Sequence, residues 1–211
     1  MVDNTNSYRS IDEELKPQAA AEAGASSTND IEVEVRIVAP PKFVHTIREL
    51  IYWEYAKLMA RAVGTRWENN YRFITSRYNK LKNGEIKWSD IESDNLKQMG
   101  RAKCEYCGST TPPLTRDHII PLIKGGINIQ NNLVLACKSC NSSKNDRDVF
   151  DWYYNVRHEK EIPKMVWSKY LKLVYEYHQL NRTLDKSDLD GDGVLNILDL
   201  GFIFKKYEEK R

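Results

Sequence analysis

C-E-Y-C at 104–107, R-D-H-I-I-P at 116–121, G-G at 125–126 and N-N-L-V-L-A-C-K-S-C-N at 131–141 form the stretch on which the chain turns, with Lys144 just beyond. All four cysteines lie in it, as two C-x-x-C pairs with 29 residues (108–136) between them. Each pair makes a knuckle that aims two sulfurs at one point, and two knuckles complete a tetrahedral thiolate site suited to structural Zn²⁺. Cys104, Cys107, Cys137 and Cys140 are therefore the expected zinc ligands. The intervening residues exceed what a minimal zinc ribbon needs. They hold an Asp-His pair, 117–118, and Asn132, while Asn141 directly follows the last Cys.

Taken together, Cys104, Cys107, Asp117-His118, Asn132, Cys137, Cys140 and Asn141 resemble the HNH endonuclease family in its zinc-stapled form. The resemblance covers about 40 of 211 residues. It implies a β-hairpin followed by a helix around one divalent ion. Asp117 and His118 would sit on the first strand, Asn132 in the loop it orients by hydrogen bonds, and Asn141 at the start of the helix. The chemistry agrees with that assignment. Phosphodiester hydrolysis needs an activated water, charge neutralisation on the phosphate and help for the leaving oxygen. A neutral imidazole near pH 7 accepts a proton from water, which casts His118 as general base. The Asp117 carboxylate and Asn141 carbonyl oxygens suit one Mg²⁺ or Mn²⁺ that keeps waters and meets substrate phosphate. The catalytic set is thus His118, Asp117, Asn132 and Asn141. Arg116, Lys144 and Arg147 are the expected phosphate contacts, since cations beside an anionic substrate act without base readout.

Charge supports a polyanionic partner. Residues 1–34 carry two basic and eight acidic residues and 185–211 carry five and seven, so a net charge of +2 overall leaves +10 on 35–184. A basic middle fits a phosphate backbone. RNA presents the same phosphates, so charge does not separate DNA from RNA. No apolar run approaches a membrane span, and the N-terminus shows no apolar signal core. The expectation is a cytoplasmic protein, where thiols stay reduced.

Residues 1–30 are polar and acidic and read as a disordered tail. Strict alternation of Ile31, Val33, Val35 and Ile37 predicts a strand over 31–38, ended by Pro40-Pro41. Helical spacing predicts helices over 44–63 and 67–82, and Ser89 to Glu92 is a capping-box pattern opening a third. A helix from Lys138 to about Trp152 should present Lys144 and Arg147, and another spans 163–180. The organisation expected is tail 1–30, strand plus helical region 31–100, ββα-metal core 101–155, C-terminal helix 156–184, and a terminal loop 185–211. The fold class is mainly α with a small ββα-metal core, an α+β chain.

That terminal loop reads D-L-D-G-D-G-V-L-N-I-L-D at 188–199. Asp188, Asp190, Asp192, the Val194 carbonyl, Asn196 and Asp199 stand where a calcium loop places its ligands, and Gly193 permits the sharp turn. The loop resembles a single EF-hand or dockerin repeat, which implies Ca²⁺. A dockerin has two such repeats and this chain has one, so a cohesin-type partner is not expected.

The leading expectation is a metal-dependent HNH endonuclease acting on DNA, with structural Zn²⁺. Its rival is a non-catalytic, zinc-stabilised nucleic-acid-binding module. One site cuts one strand, so double-strand cleavage would call for a homodimer or successive nicks.

Overall fold

The structure is a computed structural model, and it describes residues 39–62, 70–87, 102–157 and 161–204. All of these fall in one compact unit, Val33–Arg211. The tail, the strand expected at 31–38, the helix expected from Ser89, and His158 lie outside the described residues.

Helix α1, Ile47–Ala62, is buried around most of its circumference, through Ile47, Leu50, Ile51, Tyr52, Trp53, Tyr55, Ala56, Leu58 and Ala60. A helix buried on most of its faces needs packing partners on each, and among the described residues three helices pack against it. They are α2, Tyr71–Lys82, and two later helices, Lys164–Leu180 and Ile197–Phe202. The aromatic residues Tyr52, Trp53 and Tyr55 are packing groups, with Trp53 edge-on to Phe43 at 5.5 Å and to Tyr78 at 5.9 Å. Glu54 is buried with them and pairs with Lys57 at 2.6 Å.

Strand β1, Leu114–His118, pairs antiparallel with β2, Leu133–Cys137, so that Leu114 faces Cys137 and His118 faces Leu133. The loop between them begins with Ile119 N–H on the Asn132 carbonyl at 2.9 Å, which carries the pairing one step past the strand. Gly125 takes φ 84°, open to a residue without Cβ. A Cβ on Gly126 would stand 2.0 Å from the Ile120 carbonyl oxygen, so the returning chain passes too close for any larger residue.

Helix α3 covers only Lys138–Lys144. The sequence predicted one helix to Trp152, but Asn145 turns to φ 49° and ends it. Asp148 then caps a new start, accepting from Phe150 N at 2.8 Å and Asp151 N at 3.4 Å. Helix α4, Val149–Asp151, runs on as a wider π turn over Trp152–Val156. Helix α5, Lys164–Leu180, buries Val166, Tyr170, Leu173, Val174 and Tyr177. It reaches the hairpin through Lys169, which donates to the Leu133 carbonyl at 2.7 Å, and through the Tyr177 hydroxyl, which donates to the Gly125 carbonyl at 2.5 Å. Helix α6 covers Ile197–Phe202. Among the described residues no helix is long and apolar enough to cross a membrane.

Candidate active site

The four cysteine sulfurs converge. One ligand atom from each of Cys104, Cys107, Cys137 and Cys140 lies within 4.8 Å of the others, with Cys107 Sγ 3.9 Å from Cys137 Sγ. Local folding explains the convergence. The first knuckle closes on Gly108 N–H to the Cys104 carbonyl at 2.8 Å, with Gly108 at φ 76°. Glu105 N–H then attaches the knuckle to the Leu135 carbonyl of β2 at 2.7 Å. The second pair straddles the junction of β2 and α3. Arg157 donates from Nη1 to Cys140 Sγ at 3.3 Å, and its guanidinium lies 5.1 Å from the Trp152 ring centroid and 5.3 Å from that of Tyr153. Four sulfurs so placed suit one tetrahedral ion, and a cationic donor on a thiolate is the kind of outer support that such centres use.

Asp117 and His118 end β1. Asp117 points inward and is 8% exposed. The Tyr106 hydroxyl donates to Asp117 Oδ2 at 2.6 Å, and Lys144 Nζ lies 3.3 Å from the same oxygen. That leaves Oδ1 as the carboxylate oxygen without a bond to either. Tyr106 is held well above the usual phenol range, first by burial and then by the Asp117 charge. It therefore stays a donor.

Lys144 corrects the sequence reading. It was expected to project toward phosphates, yet it is fully enclosed and donates to the His118 carbonyl at 2.7 Å as well as facing Asp117. A buried ammonium needs partners, and α3 sits against the end of β1 where those two oxygens lie. Burial lowers its pKa and Asp117 opposes that. Arg116 and Arg147 are exposed, and Arg147 donates to the Ser143 carbonyl at 3.2 Å.

Asn132 is fully buried and spends its amide on the loop. Oδ1 accepts from Ile120 N at 2.9 Å, and Nδ2 donates to the Ile120 and Ile127 carbonyls, each at 2.9 Å. Asn141, the fourth residue of α3, donates from Nδ2 to Thr115 Oγ1 on β1 at 3.0 Å. Its carbonyl oxygen remains the atom of that amide able to meet a cation. His118 Nε2 is 3.1 Å from Asn128 Oδ1. Neither Asn128 nor Tyr106 stood out in the sequence. Asn128 reads as loop chemistry, and Tyr106 reads as the middle of a knuckle. The fixed spacing of Tyr106 between two ligands was the only available signal.

At the C-terminal loop, carboxylate oxygens of Asp188, Asp190 and Asp192 lie within 4.8 Å of one another. Asp199, expected as a further ligand, is engaged with backbone N–H groups instead of lying within that cluster. Its Oδ1 accepts from Leu189 N at 2.7 Å and its Oδ2 from Asn196 N at 2.8 Å. Asn196 in turn caps Leu198 N at 2.8 Å, so the pair forms a capping box for α6. His178 is buried between Thr183 Oγ1 at 2.8 Å and the Leu200 carbonyl at 3.1 Å, a structural histidine.

Comparison with known proteins points to the same stretch. Residues 104–147 match the HNH endonuclease family. The SPbeta prophage-derived protein YoqL of Bacillus subtilis, which carries the HNH endonuclease name, is 32% identical over 99 residues. That match covers 40% of this chain and 39% of the relative, so the chain spans well under half of it. No solved structure matches the chain.

Proposed function

We propose that this chain, whose residues 104–147 match the HNH endonuclease family, is a metal-dependent endonuclease that hydrolyses phosphodiester bonds of DNA. The observation that supports the reading is that β1 carries an inward carboxylate (Asp117) and an imidazole (His118) at its end, and that α3 is tied to the same strand through Asn141 Nδ2 on Thr115 Oγ1. Hard oxygen donors beside a basic nitrogen form the set that phosphodiester hydrolysis requires.

In this reading Asp117 and Asn141 offer oxygens to one Mg²⁺ or Mn²⁺, and the four cysteines hold structural Zn²⁺. The donor types fit both ions. Bound there, the divalent ion supplies charge neutralisation to the phosphate and the leaving oxygen. His118 takes a proton from water as the water oxygen bonds to phosphorus. The ester P–O bond breaks, and the leaving oxygen takes a proton from solvent. Asn132 keeps the loop in place, and Lys144 with Tyr106 fix Asp117. Arg116 and Arg147 meet backbone phosphates. One such centre cuts one strand, and a double-strand cut takes a second copy or a second nick. The C-terminal loop is proposed to take Ca²⁺ through Asp188, Asp190 and Asp192, and calorimetric titration with Ca²⁺ tests that separately. A cytoplasmic setting would keep the four thiols reduced for zinc.

The test is cleavage of supercoiled plasmid with Mg²⁺ or Mn²⁺, wild type beside His118→Ala, with EDTA as a blank. Metal-dependent nicking lost in the variant supports the nuclease and its base. Equal activity in both overturns the assignment. DNA binding without cleavage in wild type favours the zinc-stabilised binding module. An RNA substrate run in parallel decides the nucleic acid.

A further inference from the structure

We propose that Asn128 is the positioning residue of His118. It holds the ring as the tautomer with hydrogen on Nε2 and leaves Nδ1 as the base toward water. The inference rests on the nuclease reading for its consequence, while its geometry stands independently.

Three observations support it. First, Asn128 Oδ1 stands 3.1 Å from His118 Nε2. An amide oxygen only accepts, and the pair is a hydrogen bond when the ring nitrogen facing it carries the hydrogen, which is the tautomer proposed. A neutral imidazole with Nε2–H has its lone pair on Nδ1, and only a nitrogen with a lone pair can take a proton.

Second, the backbone on both sides of Asn128 is pinned by other groups. The Ile127 carbonyl accepts from Asn132 Nδ2 at 2.9 Å, and the Ile129 carbonyl accepts from Asn132 N at 2.9 Å. Ile129 N–H returns to the Ile127 carbonyl at 3.0 Å, making a tight turn with Asn128 at its tip. Gly126 allows the loop to pass against Ile120, and Tyr177 of α5 holds Gly125. The loop is therefore built without help from the Asn128 side chain.

Third, the hydrogen bond is exposed. Exposed hydrogen bonds contribute little to stability, since water replaces them. A side chain on a rigid turn, aimed at the one imidazole of the site and of little use to the fold, is placed for orientation. The buried Asn132 supports the turn, so it acts on His118 at one remove, through Asn128. Lys144 holds the other end of the same residue through the His118 carbonyl at 2.7 Å. Backbone and ring of His118 are thus fixed by different partners.

The experiment uses the full chain, zinc-loaded, labelled with ¹⁵N-histidine and observed at a pH above the imidazole range. Long-range proton–nitrogen correlations show which ring nitrogen carries hydrogen, and the His118 signal is assigned by its loss in His118→Gln. Wild type should show Nε2–H. Asn128→Asp, whose carboxylate also only accepts, should keep that tautomer. Asn128→Leu should give a mixture of tautomers. In cleavage assays kcat should fall about 10- to 100-fold in Asn128→Leu, with KM changed less than about twofold, and Asn128→Asp should recover most of it. A wild-type ring with hydrogen on Nδ1, or an unchanged tautomer in Asn128→Leu, overturns the proposal. Tautomer changes as expected with no cleavage by any variant would instead overturn the nuclease reading and leave the Asn128–His118 coupling standing.

Discussion

Lys144 Nζ lies 3.3 Å from Asp117 Oδ2, and nothing of the lysine is exposed to solvent. The only carboxylate proposed to meet the catalytic divalent ion is therefore half-engaged by a cation that cannot leave. The Tyr106 hydroxyl completes the hold on the same oxygen at 2.6 Å. The arrangement aims Asp117 but also offsets its charge.

Lys144→Met keeps the volume of the stem and removes the ammonium, leaving Asp117 buried beside Tyr106 alone. Breaking a buried pair by removing one partner costs about 3–5 kcal/mol. Urea denaturation of the zinc-loaded protein should show a destabilisation at the lower end of that range. A change below about 1 kcal/mol would mean that the pair is not a structural element. Cleavage should fall as well, because Asp117 no longer keeps its aim.

Arg116 and Arg147 are exposed where Lys144 is not. If either neutralises a backbone phosphate, its replacement by Ala should reduce the salt slope of DNA binding by about 0.9 for each phosphate no longer neutralised. Binding isotherms at several salt concentrations measure this. Lys144→Met should leave the slope unchanged, since an enclosed ammonium releases no counterion. A smaller slope for Lys144→Met than for Arg116→Ala would contradict the enclosure of Lys144.

Arg157 donates to Cys140 Sγ at 3.3 Å while its guanidinium lies over Trp152 and Tyr153. Outer partners of metal ligands typically account for 10- to 100-fold in affinity. Arg157→Ala should release zinc to a competing chelator about tenfold more readily, with Arg157→Lys between the two. Zinc release that does not distinguish Arg157→Ala from wild type would assign the interaction to packing alone. Complete removal of zinc should unfold the hairpin, because Cys104 and Cys140 are buried and have no other partner chemistry of comparable strength.

His178 makes stability depend on pH. Burial lowers its pKa from the ordinary 6.5, with the Leu200 hydrogen bond and Asp199 opposing. The unfolded chain then binds a proton on His178 at higher pH than the folded one. Stability contributed by the neutral ring is present above about pH 6.5 and is lost as pH falls below it, by at most about 1.4 kcal/mol per unit. It levels off below the folded value. His178→Gln should flatten that part of the Tm profile relative to wild type between about pH 7 and pH 5. An identical pH dependence in the two proteins would remove His178 from the account.

The zinc pattern was legible because ligand spacing is a local property. Two residues between cysteines define a knuckle wherever it occurs, and the four sulfurs do converge. The long periodic helices were legible for the same reason, as 164–180 shows. The break after Lys144 was not, since Asn145 at φ 49° and the Asp148 cap compete with a continuous helical pattern that alone favours extension. Asp199 occupied a ligand position in the sequence pattern, yet its carboxylate serves the backbone of Leu189 and Asn196.

By itself, then, the sequence determined the two cysteine pairs that converge beside the hairpin, and it singled out Asp117, His118, Asn132 and Asn141 as the candidate set that carries the resemblance. Tertiary structure alone decided which of their atoms are engaged. Lys144 turns inward because α3 ends against β1, and that depends on where the chain folds back rather than on neighbouring residues. Asn128 meets His118 across ten positions because Asn132 and Gly126 shape the loop between them. Spacing reports what is close along the chain, whereas enclosure and long-range hydrogen bonds depend on surfaces that exist only after the hairpin, α3 and α5 have packed.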